Sequence, residues 1–150
     1  MQNLFHPGVK DEILNRIKAL NNTHKPLWGK MNVAQMLAHC VRPLTLVMGE
    51  TVMPKPGFIM RLLGGTIKKT LISPVPYKQN LPTSPSFVTL ASEFDFNESQ
   101  QLLLDAVARF VDKQDSVADF QHPLFGKMTK DEWGTSQYKH LDHHLQQFGK

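Results

Sequence analysis

The 150-residue chain carries one cysteine, Cys40, so an intramolecular disulfide and a cysteine-rich zinc site are both excluded. That composition suits a reducing, cytoplasmic compartment, and any transition-metal site must be built from histidines and carboxylates. No run of roughly 18 apolar residues occurs, which argues against a membrane-spanning helix. The N-terminal Met1-Gln2-Asn3-Leu4-Phe5-His6-Pro7 lacks the basic head and apolar stretch of a signal peptide, so we expect a soluble, unexported protein. Acidic residues are missing between Thr51 and Ser92, where Lys55, Arg61, Lys68, Lys69 and Lys78 are all positive. Strand patterning is also scarce: Phe87-Val88-Thr89-Leu90 is too isolated to pair into a sheet.

What is present is helical periodicity. With 41% hydrophobic residues, the chain is long enough for one globular domain over 1–150 that needs no covalent staple. A first helical segment follows Pro7 and spaces Val9, Ile13, Leu14, Ile17 and Leu20 on one face before Asn21-Asn22. A second starts after the N-cap Asn32 and carries Val33, Met36, Leu37, His39 and Cys40 toward Leu46 and Met48. A third is expected after Asn97, with Gln100 at its third position and Leu103, Leu104, Val107, Phe110 and Val111 aligned. The fourth opens on Thr129-Lys130-Asp131-Glu132, a capping-box pattern, and runs past His144.

Between the second and third segments lie Pro54, Pro56, Pro74, Pro76, Pro82 and Pro85 with Gly57, Gly64 and Gly65. Such a stretch is a long crossover, which lets its flanking helices run parallel. The expected fold is all-α: a four-helix bundle, up-down-down-up, with a proline- and glycine-rich basic crossover that holds a short helix from Phe58 to about Thr70. Leu27-Trp28-Gly29-Lys30-Met31-Asn32 before the second helix resembles Leu124-Phe125-Gly126-Lys127-Met128-Thr129 before the fourth. Convergent helix-start chemistry and a pseudo-twofold relation both account for this likeness.

The chemistry concentrates in histidines. His140 and His144 stand one turn apart, where Cβ atoms are about 5–6 Å apart and both imidazoles can reach one cation. At about 100° per residue they share a stripe with Trp133, Ser136, Gln147 and Phe148. Two imidazoles on an apolar face repel if protonated and lose solvation if buried, and a cation relieves both costs. A solvated polar helix end is the competing reading, because Asp142, His143, Gln146 and Lys150 lie nearby. His39 shares a face with Met36 and Leu46, where a lone histidine is ordinarily a hydrogen-bonded core residue. His143 is placed at the rim and Asp142 on the surface, whereas His6, His24 and His122 sit beside prolines in capping or solvated roles. Pro43 cannot donate to the His39 carbonyl, so the second helix should kink or loosen there. Cys40 is expected to be a small buried residue.

With His39 on the second helix and His140-x-x-x-His144 on the fourth, the chain resembles the DinB-like (YfiT-like) superfamily of metal-dependent enzymes, in a subfamily known only as a domain of unknown function. The likeness rests on Trp28 to His39, the Phe125 to Glu132 lead-in, and His140-Leu-Asp-His-His-Leu-Gln-Gln. It implies a four-helix bundle binding zinc or nickel through His39, His140 and His144. It also implies a thiol-dependent S-transferase, with a low-molecular-weight thiol as cosubstrate, or a hydrolase. Three neutral histidines with a fourth position open are the pattern of a catalytic zinc site.

The basic crossover suggests a small anionic substrate steered by Lys68 and Lys69, although a solvated lid explains the charge as well. The alternative is a non-enzymatic bundle, with a structural metal or none, whose crossover meets a nucleic acid or an acidic membrane surface. Five positive charges over some forty residues are a thin footprint, so no nucleic-acid partner is expected. A homodimer is compatible with such a bundle, though no self-complementary stripe demands one.

Overall fold

Apolar residues recurring three and four apart fold into five α-helices in the computed structural model, which describes residues 2–81 and 89–150. They are α1 (Val9–Lys18), α2 (Val33–Val47), α3 (Phe58–Ile72), α4 (Phe96–Asp112) and α5 (Lys130–Gln147). A 3-10 turn, Val117–Asp119, follows α4. Among the described residues, the only strands are β1 (Gln121–His122) and β2 (Gly126–Lys127), antiparallel, with Gln121 opposite Lys127 and His122 opposite Gly126. The chain is thus mostly helical. Pro82, Pro85, Phe87 and Val88, and with them half of the weak strand pattern, lie outside the described residues.

The core forms where α2 packs on α4, its most extensive partner, with α1 on α4 and α5 on α2, α1 and α3. Ile13, Ile17, Met36, Leu37, Leu44, Leu103, Val107, Phe110, Leu141 and Leu145 are fully buried there. Burying each such side chain stabilises the fold by about 1.5–3 kcal/mol relative to exposure. Arg16 of α1 reaches Asp142 of α5 at 2.8 Å and the Lys150 carbonyl at 2.9 Å. Asp142 is therefore a half-buried ion-pair partner rather than a free surface carboxylate.

Both capping boxes form as the sequence spacing predicts, Asn32 with Gln35 and Thr129 with Glu132. Two other helix starts differ. Helix α4 is capped by Asp95, whose carboxylate accepts from the Glu98 N–H, so the helix begins before Asn97. Gln100 instead donates to the Ile17 and Leu20 carbonyls at 2.8 and 3.3 Å, closing the C-terminal end of α1. Helix α1 begins after Gly8 in a left-handed conformation, so Pro7 precedes the cap rather than opening the helix, and the helix stops at Lys18, before Asn21. Helix α2 continues through Pro43 to Val47, and α3 occupies the place foreseen for a short crossover helix.

Between β1 and β2 the His122 Nδ1 accepts the N–H groups of Leu124 and Phe125 at 3.1 and 3.2 Å, while its ring stacks on Phe125 at 4.1 Å. Burial lowers the His122 pKa from its ordinary 6.5 to about 4. Between those pH values the unfolded chain binds a proton that the folded chain does not. The corresponding stability is present in full above about 6.5 and is lost as the pH falls toward 4. We expect the denaturant midpoint to fall between pH 7 and pH 5. In His122→Asn, which keeps an acceptor for the two N–H groups, that fall should be smaller; an equal fall in the variant would count against the assignment.

Candidate metal centre

Two local devices aim the histidines. The capping box of α2 fixes where the helix starts, and seven residues later His39 emerges on its buried side, 3% exposed. Gln35, the third residue of that box, also donates to the Leu90 and Ser92 carbonyls, tying the end of the crossover to α2. The capping box of α5 likewise fixes a helix whose inward stripe buries Trp133, Ser136, His144, Gln147 and Phe148. His140 is half-buried on the same stripe.

The two helices bring His39, His140 and His144 into one cluster. One ring nitrogen of each lies within 4.8 Å of the others. Their ring centroids form a nearly equilateral triangle, 5.0 Å for His39 to His140, 4.7 Å for His39 to His144 and 4.8 Å for His140 to His144. The His39 and His140 Nε2 atoms are 3.0 Å apart. Desolvation, then the charges of His144, His39 and His143, hold His140 well below the ordinary histidine pKa. Desolvation, then His39, lowers His144 to about 3 against a smaller opposing effect from Gln147. Those two imidazoles are therefore neutral at pH 7, the state in which histidine ligates a metal.

Gln147 sets which nitrogen of His144 is free. Its Nε2 donates to the Trp28 carbonyl at 2.7 Å, so its Oε1 is left to accept the proton on His144 Nδ1 at 2.9 Å. The Nε2 lone pair of His144 then points into the cluster. The Gln147 backbone carbonyl also accepts the Leu27 N–H at 2.7 Å. Gly29 makes the approach possible: its φ is 82°, and a Cβ there would stand 2.5 Å from the Gln147 Nε2. Such outer hydrogen bonds fix ring orientation and raise ligand basicity. His140 Nδ1 is buried with no partner among the described residues.

His143 lies outside the triangle, 5.1 Å from the His144 ring and between Trp28 and Tyr77 at 5.8 and 5.7 Å. That is the rim position expected of it. His6 is exposed and His24 accepts locally from the Asn21 N–H, so neither joins the cluster. A cleft of about 250 Å³ opens beside the imidazoles, with Trp28, Met31, His39, His143, His144 and Gln147 in its wall. Among the described residues, Lys30 is the one Lys or Arg lining it, and no carboxylate does. Lys68 is engaged elsewhere, 2.8 Å from Glu132. Sequence reasoning missed Gln147 as a hydrogen-bonding partner, although its i+3 spacing from His144 was a visible signal.

Gln147→Leu leaves the His144 Nδ1 and the Trp28 carbonyl without their partner. We expect a loss of about 1–3 kcal/mol in chemical denaturation and a mixture of His144 tautomers by ¹⁵N NMR. An unchanged tautomer would show that Gln147 does not set it.

No curated protein matches the chain, and no solved structure matches it. A family model described as a protein of unknown function (DUF1569) matches residues 4–150, nearly the whole chain, and the chain belongs to that family.

Proposed function

We propose that this protein is a divalent-metal-dependent enzyme of the DinB-like superfamily, acting on a small molecule as a thiol-dependent S-transferase or a hydrolase. The observation that carries the reading is the convergence of His39, His140 and His144, with one ring nitrogen of each within 4.8 Å of the others. A tetrahedral zinc ion with metal–nitrogen distances of ~2.0–2.1 Å places its ligand nitrogens ~3.3 Å apart. The 3.0 Å between the His39 and His140 Nε2 atoms is close to that separation, and the His144 tautomer leaves its Nε2 free. The residues therefore fit the group.

Zinc or nickel suits an all-imidazole donor set. When bound with one position open, either metal supplies Lewis acidity that activates water near neutral pH or holds a low-molecular-weight thiol as its thiolate. The chain's own residues do the rest. Gln147 keeps the His144 lone pair aimed, Trp28 and Met31 offer an apolar wall to a substrate body, and Lys30 offers a cation to an anionic substrate. The same reading takes α1, α2, α4 and α5 as the up-down-down-up bundle, supported by the packing of α2 on α4 and α5 and of α1 on α4. It places the enzyme in the cytoplasm, where a lone unpaired cysteine is ordinary.

Protein purified without a histidine tag should carry about one equivalent of transition metal by elemental analysis. His39→Ala, His140→Ala and His144→Ala should each lose it while keeping their helical circular dichroism. A wild type that takes up no metal in any preparation sinks the site. For the chemistry, turnover is measured on thiol-plus-electrophile pairs and on simple amides and esters, before and after chelation. Activity that survives removal of the metal overturns the mechanism.

A further inference from the structure

Helix α3 is amphipathic, and its polarity is reversed with respect to the protein. Counting about 100° per residue from Phe58, the residues Phe58, Leu62, Ile59, Leu63 and Met60 of its first half lie within one broad arc, which Thr66, Lys69 and Thr70 continue in the second half, while Gly64 and Lys68 lie on the opposite side. The side with Gly64 and Lys68 rests on the body, where Ile72 near the end of the helix also packs against the core. A Cβ on Gly64 would stand 2.1 Å from the Leu124 carbonyl oxygen, so the helix backbone touches the turn between β1 and β2. Lys68 donates to the Lys127 carbonyl at 2.9 Å and pairs with Glu132. Lys139 of α5 holds the far end, donating to the Thr70 and Ser73 carbonyls at 2.8 and 3.0 Å.

The apolar arc consequently faces outward. Phe58 is 75% exposed, Ile59 72%, Leu62 69%, Leu63 47% and Met60 44%, and Val52 just upstream is 89% exposed. Single exposed apolar residues are ordinary; a contiguous set on one helix marks a surface that meets something apolar. Its surroundings say what. Lys55 and Lys69 beside it are exposed and make no ion pair among the described residues, and no acidic residue occurs between Thr51 and Ser92. A second copy of this patch offers hydrocarbon but no anion to these lysines. A nucleic acid offers phosphate but nothing to cover Phe58, Ile59 and Leu62. The surface of an anionic bilayer offers both.

We propose that α3 docks this protein on the surface of an anionic phospholipid bilayer. The helix lies in the interfacial plane, with Phe58, Ile59 and Leu62 among the upper acyl chains and Lys55 and Lys69 at the headgroups. Among the described residues no helix is long and apolar enough to cross a membrane, so the association is peripheral. The docking is independent of the metal reading.

The full chain is sedimented with phosphatidylcholine vesicles, with and without phosphatidylglycerol. Binding is expected on the mixed vesicles, weakening as salt is raised, with little on the neutral ones. The exposed double substitution Phe58→Ser with Leu62→Ser should lower partitioning by about tenfold or more. Lys55→Gln with Lys69→Gln should lower it by about tenfold on the mixed vesicles. Light scattering and circular dichroism of each variant confirm its fold and solution state, and His39→Ala should bind vesicles as wild type does. No binding to either vesicle, equal binding to both, or self-association that the Phe58 and Leu62 substitutions abolish would each overturn the proposal.

Discussion

The arrangement depends on how Gln147 joins the last turn of α5 to the segment that leads into α2. Its backbone carbonyl and its side-chain amide each take hold of that segment, at the Leu27 N–H and the Trp28 carbonyl. The remaining amide oxygen faces inward, to His144. One residue thus fixes the meeting of two helices that are remote in sequence and fixes the proton on one of the imidazoles between them. Burying neutral imidazoles is otherwise expensive, since each carries a donor and an acceptor that water would satisfy. The clamp satisfies the donor of His144 and leaves its acceptor nitrogen free beside His39 and His140.

Much of the framework was legible because its signals are local. The capping boxes at Asn32 and Thr129 follow from spacing alone, as do the buried stripes of α2 and α5. Where the reading slipped, two local signals competed or a distant partner decided. Asp95 and Asn97 both offer a cap two residues apart, and the structure uses Asp95 while Gln100 turns to the end of α1. Asp142 looked like a surface carboxylate because nothing near it in sequence reveals Arg16, 126 residues away. The three histidines were individually ambiguous, and only the packing of α2 on α5 shows that their ring nitrogens meet. For α3 the mild amphipathy of Phe58 to Leu63 was legible but its outward direction was not, because periodicity reveals which residues share a side, never which side faces the core.

The two similar lead-ins show how far a repeated sequence carries. Both place a glycine at positive φ, 82° for Gly29 and 68° for Gly126, and both end in a capping box. Beyond the backbone they part. Trp28 turns its ring toward His143 beside the cleft, whereas Phe125 stacks on His122 in the β1–β2 connection, against which α3 rests. The likeness is one of helix initiation, put to use at two different surfaces.

Cys40 follows His39 directly but turns into the core, 1% exposed, where its Sγ–H faces the Met36 sulfur at 3.7 Å. Burial raises its pKa far above the thiol range, so it stays protonated. The reactive form of a cysteine toward peroxides and disulfides is the thiolate, and an enclosed thiol presents none. The cluster beside it has imidazole donors alone. Oxidising conditions that would convert a thiolate ligand to a disulfide or sulfenic acid therefore find no sulfur in the donor set to attack, and the three imidazoles remain the same donors as the redox state of their surroundings changes.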